Sequence, residues 1–348
     1  MHLPGYYFID RDGFILLISK FIDMNVLIVG TGVIGTIYGW ALKEAGVKVT
    51  HLVRSGKPDL VSNGAKIDIL DERKGFKKYN QTKYDITITE SLEEHSTYDL
   101  VIVPTNWYQT EPALKAIAPK CPDSFFYILT SNWTGTEMFD SILSKNRYIL
   151  GYPDGGGTIK KGVYWTNIGP EIHIAKPEPD NEKGFELVRE VFLKASITPD
   201  IQENILYWLW VHNAGSTAIS LAFQKYKNVE KYLTDKKLLK HSFLATRECL
   251  DLCEKRGAYS KKFPEISAFR WPMWLLIPMF RYNFRHNESM KRYTAHGESM
   301  PVEDIACNYY DILKTAKELN FEMPYYQELE SILKLCPTAQ PDCRPLHI

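Results

Sequence analysis

Two hydrophobic patterns divide the chain. Up to about residue 200, short continuous apolar runs stop at glycine, proline or small polar residues; beyond it, apolar positions recur at helical spacing. The first run, Asn25 to Val29, ends at glycine and suits a parallel strand buried on both faces. Ile37 through Ala45 continues with helical spacing until Gly46. "KVTHLVR" reads as a second strand, "YDLVIVPT" as another, "YQTEPALKAIAPK" as an amphipathic helix, and "SFFYILTSNWTGTEMFDSIL" as a strand running through Thr130 to Asn132 and into a helix. Residues 151–177 read as a β-hairpin with long loops, its glycines serving as turns and not as a second phosphate loop.

After "ASITPDIQEN" the pattern stays helical. "ILYWLWVHNAGSTAISLAF" is apolar nearly all round, as in a helix at the centre of a helical domain, and "VEDIACNYYDILKTAKELNFEMP" is one amphipathic helix starting near Glu303 and stopped by Asn320 and Pro324. The predicted fold class is α/β: an N-terminal Rossmann-type doubly wound sheet followed by an all-helical second domain. The expected boundaries are an N-terminal extension at 1–23, the sheet domain at 24–197, a helical substrate and dimerisation domain at 198–335, and a proline-rich tail at 336–348. The 1–23 segment makes a poor signal peptide, because acidic residues flank its apolar run and no small-residue cleavage site follows.

The apolar pattern becomes chemistry at Gly30, Gly32 and Gly35. Together they spell G-x-G-x-x-G between a strand and a helix, with Thr31, Val33 and Ile34 between them. The first glycine permits the tight turn, the second lets the backbone approach a pyrophosphate, and the third lets helix and strand pack closely. The helix N-terminus adds N–H donors and partial positive charge, so a dinucleotide is expected on this turn. The second strand ends at Arg54, where an acidic residue would receive the ribose hydroxyls of NAD; with Ser55 and Lys57 behind it, Arg54 selects NADP, the competing reading being a solvated loop charge. Thr105, Asn106 and Asn132 stand at strand ends and are expected beside the nicotinamide half.

Composition narrows the partners. The chain has 348 residues with 42 basic and 42 acidic side chains, so no global field favours nucleic acid or an anionic membrane, and a small-molecule substrate is the natural partner. Six scattered cysteines read as reduced cytosolic thiols and predict a cytoplasmic protein without a metal site. "AFRWPMWLLIPMFRYNFRH" is too short and too basic at its ends to span a membrane; a buried helix pair, a dimer surface and an aromatic wall over the substrate all fit it. The hydrophobic second domain predicts a homodimer. His212 and Asn213 interrupt the apolar helix and need partners, either within the core or from a ligand at the domain interface.

The glycine turn, the Arg-ended strand, "PTNWYQ", "SNWTGT" and the helical second half together resemble the ketopantoate reductase family, clearly in the first domain and weakly in the second. The resemblance implies reduction of a 2-keto acid by NADPH in the cleft between domains. It matches Asn132 to the asparagine of the family's H-N-G turn, and it puts Asn106 where the family carries lysine. Its catalytic lysine falls on Leu209, and its substrate-gripping carboxylate on Asp304, with Glu303 one residue away and Ser289 or Ser299 as the nearby serine. "WVHNAG" is also similar to the "KMVHNG" of 6-phosphogluconate and 3-hydroxyacid dehydrogenases. Leu209, His212 and Asn213 are expected on nearly one helix face, so His212 is the expected substitute proton donor, with Asn213 and Asp304 orienting the substrate. An NADP-binding protein that no longer turns its cofactor over, serving as sensor or partner module, and an opine-type dehydrogenase are the alternative expectations.

Overall fold

The computed structural model describes residues 24–54 and 63–336. The expected extension at 1–23, Ser55, Lys57 and residues 337–348 of the tail lie outside the described residues.

Ten strands form one sheet: β1 (Asn25–Val29), β2 (Lys48–Leu52), β3 (Ala65–Asp71), β4 (Lys78–Tyr84), β5 (Ile88–Thr89), β6 (Leu100–Val103), β7 (Phe125–Leu129), β8 (Tyr148–Lys160), β9 (Val163–Ala175) and β10 (Thr198–Gln202). Their order is β4-β3-β9-β8-β7-β6-β1-β2-β5, with β10 also beside β9. Strands β7, β6, β1, β2 and β5 are all parallel, and the order reverses direction between β1 and β6. That switch point opens a crevice beyond the strands' C-terminal ends, where doubly wound folds bind nucleotides.

The longer helices are α1 (Val33–Glu44), α2 (Trp107–Ile117), α3 (Glu182–Lys194), α4 (Ile205–Gln224), α5 (Lys236–Lys255), α6 (Met273–His286), α7 (Glu288–Ser299) and α8 (Val302–Glu318). Side-chain caps start several of them: Asn204 accepts from the Tyr207 N–H at 3.2 Å before α4, Asp235 from Leu238 at 3.0 Å before α5, and Asn287 from Met290 at 3.2 Å before α7. The fold class is the one expected, a doubly wound sheet followed by a helical C-terminal region; the sheet is mixed, with β3–β4 and β8–β9 antiparallel and the remaining pairs parallel.

Three details differ from the sequence expectation. The segment 151–177 has no long loops: β8 and β9 are each 13 residues long and are joined by a two-residue turn, Lys161 and Gly162, both with positive φ (50° and 77°). That geometry matches the twist of the paired strands. Gly155, Gly156 and Gly157 therefore lie within a strand, beside a bulge at Pro153/Gly155. At Gly155 (φ 151°) an added Cβ would sit 2.8 Å from the Asn167 carbonyl, and at Gly157 (φ 143°) it would collide with the Trp165 carbonyl, so both positions need glycine. Second, β7 stops at Leu129, and only a four-residue helical turn, Glu137–Asp140, follows. Third, β10 pairs with β9, carrying the sheet domain to Gln202, beyond the boundary expected at 197.

The helical layer is not a separate ball. Ile205, Trp208 and Leu209 at the start of α4 pack with Leu27, Val101 and Ile128 under one face of the sheet. Arg292 of α7, 4% exposed, pairs with the Asp68 carboxylate at 2.8 Å and donates to the carbonyls of Asp68 (2.7 Å) and Thr166 (2.9 Å). On the far side, α6 leaves Trp274 76% exposed, while Leu276, Met279, Phe280 and Phe284 of the same helix face an internal cavity. The segment is thus part wall and part open surface.

Candidate active site

The phosphate turn is built from its backbone outward. Gly30 takes φ 88°, which lets its N–H reach the Leu52 carbonyl at 2.7 Å. Gly32 precedes α1 without a side-chain cap, and a Cβ there would meet no other protein atom, so the first-turn N–H groups are left without a side-chain partner. A Cβ on Gly35 would stand 2.9 Å from the Gly30 carbonyl, which is the close helix-to-strand packing its motif position demands. His51 completes the turn and went unnoticed in the sequence. Its Nδ1–H donates to the Gly30 carbonyl at 2.8 Å, and its Nε2 accepts from the Tyr84 hydroxyl at 3.0 Å. Burial pushes its pKa down to about 4, so the ring is neutral.

The turn opens into a cavity of about 2170 Å³ between the sheet's C-terminal edge and the helical layer. Single small-molecule sites usually occupy about 300–1,000 Å³, so this one has room for a dinucleotide together with a substrate. Gly30, Thr31, Gly32, Val33, Ile34, Arg54, Thr105, Asn106, His212, Asn213 and Asp304 all line it. The glycine cradle, the uncapped helix and this volume fit a dinucleotide.

Of the described residues singled out, Gly35, Asn132, Leu209 and Glu303 do not line the cavity. Gly35 serves it from behind. Asn132 is fully buried and spends its amide on its own turn: Nδ2 donates to the Gly135 carbonyl at 2.7 Å, and Oδ1 accepts from the N–H groups of Thr134 (3.0 Å) and Gly135 (3.2 Å). Its neighbours Thr130 and Ser131 face the cavity instead. Leu209, 1% exposed, points into the core beneath the sheet, so it does not share the cavity-lining face of His212 and Asn213; Trp208 and Ser216 do. Ser289 does line the cavity, its hydroxyl held by Lys77 and Glu72, each at 3.0 Å, and the Ser299 side chain lies outside those described.

Asp304 is buried at the start of α8. Its Oδ1 accepts from the Trp107 N–H at 2.8 Å, and the Tyr108 N–H adds a second bond, so one carboxylate closes the otherwise uncapped α2. Burial outweighs these donors and pushes its pKa up to about 6. His212 stacks on Trp208 (centroids 4.9 Å apart, 10° between planes) and meets Tyr152 at 4.4 Å. Burial, with His173 nearby, pushes its pKa down to about 3, so it is a neutral imidazole in this cavity. Tyr152, bonded to Ser131 and close to Asp304, is a cavity residue that sequence reasoning missed. Three buried amides in the wall carry unmet atoms: Oδ1 of Asn167, Nδ2 of Asn213 and Oδ1 of Asn308. An unmet buried polar atom costs about 1–3 kcal/mol, so each is poised for a ligand or solvent partner. Among the described residues, no group of acidic, histidine and cysteine side chains is arranged to hold a metal, and no helix is long and apolar enough to cross a membrane.

The family model "Ketopantoate reductase PanE/ApbA" matches residues 26–166. The 2-dehydropantoate 2-reductase of Pyrococcus abyssi is 29% identical over 201 residues, which is 57% of this chain and 62% of that protein; its Pyrococcus horikoshii counterpart is 27% identical over the same span. The match thus covers under two thirds of these curated relatives. Among solved structures, 2-dehydropantoate 2-reductase from Geobacter metallireducens GS-15 superposes with a TM-score of 0.66 at 16% identity, covering 90% of this chain and 99% of that one. D-mandelate dehydrogenase with NADH and anilino(oxo)acetate gives 0.66 at 14% identity, covering 90% and 98%. Residues 26–166 thus match the ketopantoate reductase PanE/ApbA family model, and the chain as a whole shares its fold with solved 2-dehydropantoate 2-reductases.

Proposed function

We propose that the protein is an NADPH-dependent reductase of a carbonyl compound, a 2-keto acid or a related ketone, bound between the sheet domain and the helical layer. One observation carries the reading: a single cavity runs from the glycine turn past Thr105 and Thr130 to His212, Asn213 and Asp304. Gly30, Gly32 and the N–H groups opening α1 bind the pyrophosphate, and Arg54, exposed at the end of β2, pairs with a 2′-phosphate. Glu90 lines the same end, and an acidic residue there favours the ribose hydroxyls of NAD; the NADH complex of D-mandelate dehydrogenase keeps that second reading alive.

The nicotinamide, when bound, supplies the hydride. His212 and the unmet Nδ2 of Asn213 then donate hydrogen bonds to the carbonyl oxygen, stabilising the charge it gains. A neutral imidazole polarises a carbonyl without being an imidazolium, which adapts the proton-donor role expected of His212 to a ring that burial keeps uncharged. Asp304 holds α2 against the cavity and orients the substrate.

The test is purified protein mixed with NADPH or NADH, first in thermal melts and then with a panel of 2-keto acids and ketones. A melting shift larger with NADPH, followed by substrate-dependent NADPH oxidation, is expected. The absence of both cofactor binding and oxidation across the panel would overturn the reading.

A further inference from the structure

The substrate end of the cavity is chemically unlike a carboxylate site. Among the described lining residues the only lysine or arginine side chains are Arg54 and Lys262, and both are exposed at its rim. Its interior carries the opposite sign, with Asp154 and Asp304 in the wall and Glu72 near Asp154. A carboxylate entering there would lose its hydration without gaining a cation. What the interior does hold is unmet acceptors, Oδ1 of Asn167 on β9 and Oδ1 of Asn308, of which only that of Asn308 stands in the helical layer that also carries Asn213. Asn308, on α8 one turn beyond Asp304, is 4% exposed and lines the cavity. Its Nδ2 donates to the Asp304 carbonyl at 3.1 Å, which fixes the amide's orientation because a carbonyl only accepts. Its Oδ1 is left buried and unmet. The opposite atom is unmet on Asn213, whose Nδ2 is a donor and suits a carbonyl oxygen. Beyond them Phe223, Leu276, Met279, Phe280 and Phe284 make an apolar wall.

Building on the proposed reductase activity, we infer that the substrate is an apolar ketone or aldehyde whose neighbouring group is a hydrogen-bond donor, a hydroxyl or amine received by Asn308 Oδ1, and not a 2-keto acid. Asn213 takes the carbonyl oxygen and Asn308 the donor beside it. The body of the molecule lies against the apolar wall.

Calorimetric titration of the NADP⁺-loaded protein at neutral pH tests this with compounds of one aromatic body: 2-hydroxyacetophenone, 2-aminoacetophenone, phenylglyoxylate and acetophenone. One or both donor-bearing ketones should bind about tenfold more tightly than phenylglyoxylate, the size of one well-placed hydrogen bond. The two donor compounds separate hydroxyl from amine. Asn308→Leu should erase most of that advantage while acetophenone binding stays unchanged, which shows that the cavity is intact. Phenylglyoxylate binding as tightly as the donor compounds, no binding by any of them, or a preference untouched by Asn308→Leu would overturn the inference. NADPH oxidation is read separately: binding with the expected preference but no hydride transfer overturns the reductase reading and leaves the ligand class standing.

Discussion

His51 ties the second strand to the phosphate turn, its Nδ1–H lying 2.8 Å from the Gly30 carbonyl. Replacing it with leucine leaves that carbonyl and the Tyr84 hydroxyl without a partner. His51→Leu should lower stability by about 1–3 kcal/mol in denaturant unfolding and weaken NADPH binding several-fold in titration. The same ring sets an acid limb. Its folded pKa of about 4 lies below the ordinary 6.5, so in that window the unfolded chain binds the proton and the native one does not. Stability is therefore full above about pH 6.5 and falls as pH drops toward 4, with a ceiling near about 3 kcal/mol for this residue. The leucine variant should show a shallower acid slope.

Arg54 should decide the cofactor. Arg54→Ala is expected to weaken NADPH by about tenfold or more and NADH hardly at all, because only the former offers the phosphate a guanidinium binds. Added salt should shrink the difference. Equal losses for both cofactors would assign Arg54 to the solvent.

Arg292 clamps α7 to the sheet through Asp68 and two carbonyls. Arg292→Met keeps the apolar stem and removes every donor. A loss of about 3 kcal/mol is expected, with earlier proteolysis of the α6–α7 region than of the sheet domain.

Asp304 predicts an opposite pH trend. Its folded pKa of about 6 stands above the ordinary 3.8, so the native state holds the proton longer, and the stability this contributes is lost as pH rises through that interval. Asp304→Asn retains one acceptor for Trp107 and removes the charge. Its melting temperature relative to the parent should improve between pH 4 and pH 7, by up to about 3 kcal/mol in equivalent stability.

Gly157 should tolerate nothing larger. Gly157→Ala forces a Cβ into the Trp165 carbonyl at φ 143° and should cost about 2 kcal/mol or more in thermal unfolding.

What the chain discloses before folding depends on the range of the interaction. The glycine turn was legible because strand, turn and helix are neighbours in sequence and each glycine has a local steric reason. The long β8–β9 hairpin was not, since Lys161 and Gly162 lack the usual asparagine-glycine signal and the strand's interior glycines imitate loops. Asn132 was misplaced for a related reason: a side chain that bonds its own turn looks, in sequence, like one offered to a ligand. Leu209 shows the limit of counting along a helix, because residues three and four apart share a face only broadly, and here the neighbouring core took one edge of it. Tyr152, Asn308 and His51 are brought to the site by pairings between distant segments, and no local pattern announces them.

Three of the side chains that fasten the helical layer to the sheet domain, Arg292, Asp304 and Arg256, reach main-chain atoms: the carbonyls of Asp68 and Thr166, the Trp107 N–H and the Trp133 carbonyl respectively. A main-chain partner is present whatever residue occupies its position. Such a junction asks the sequence to preserve one member of a pair and leaves the other, as at Thr166, free to drift, so the layers can stay in register through substitution there; Trp107 is the exception, because its own side chain also bonds Asp311 across the junction.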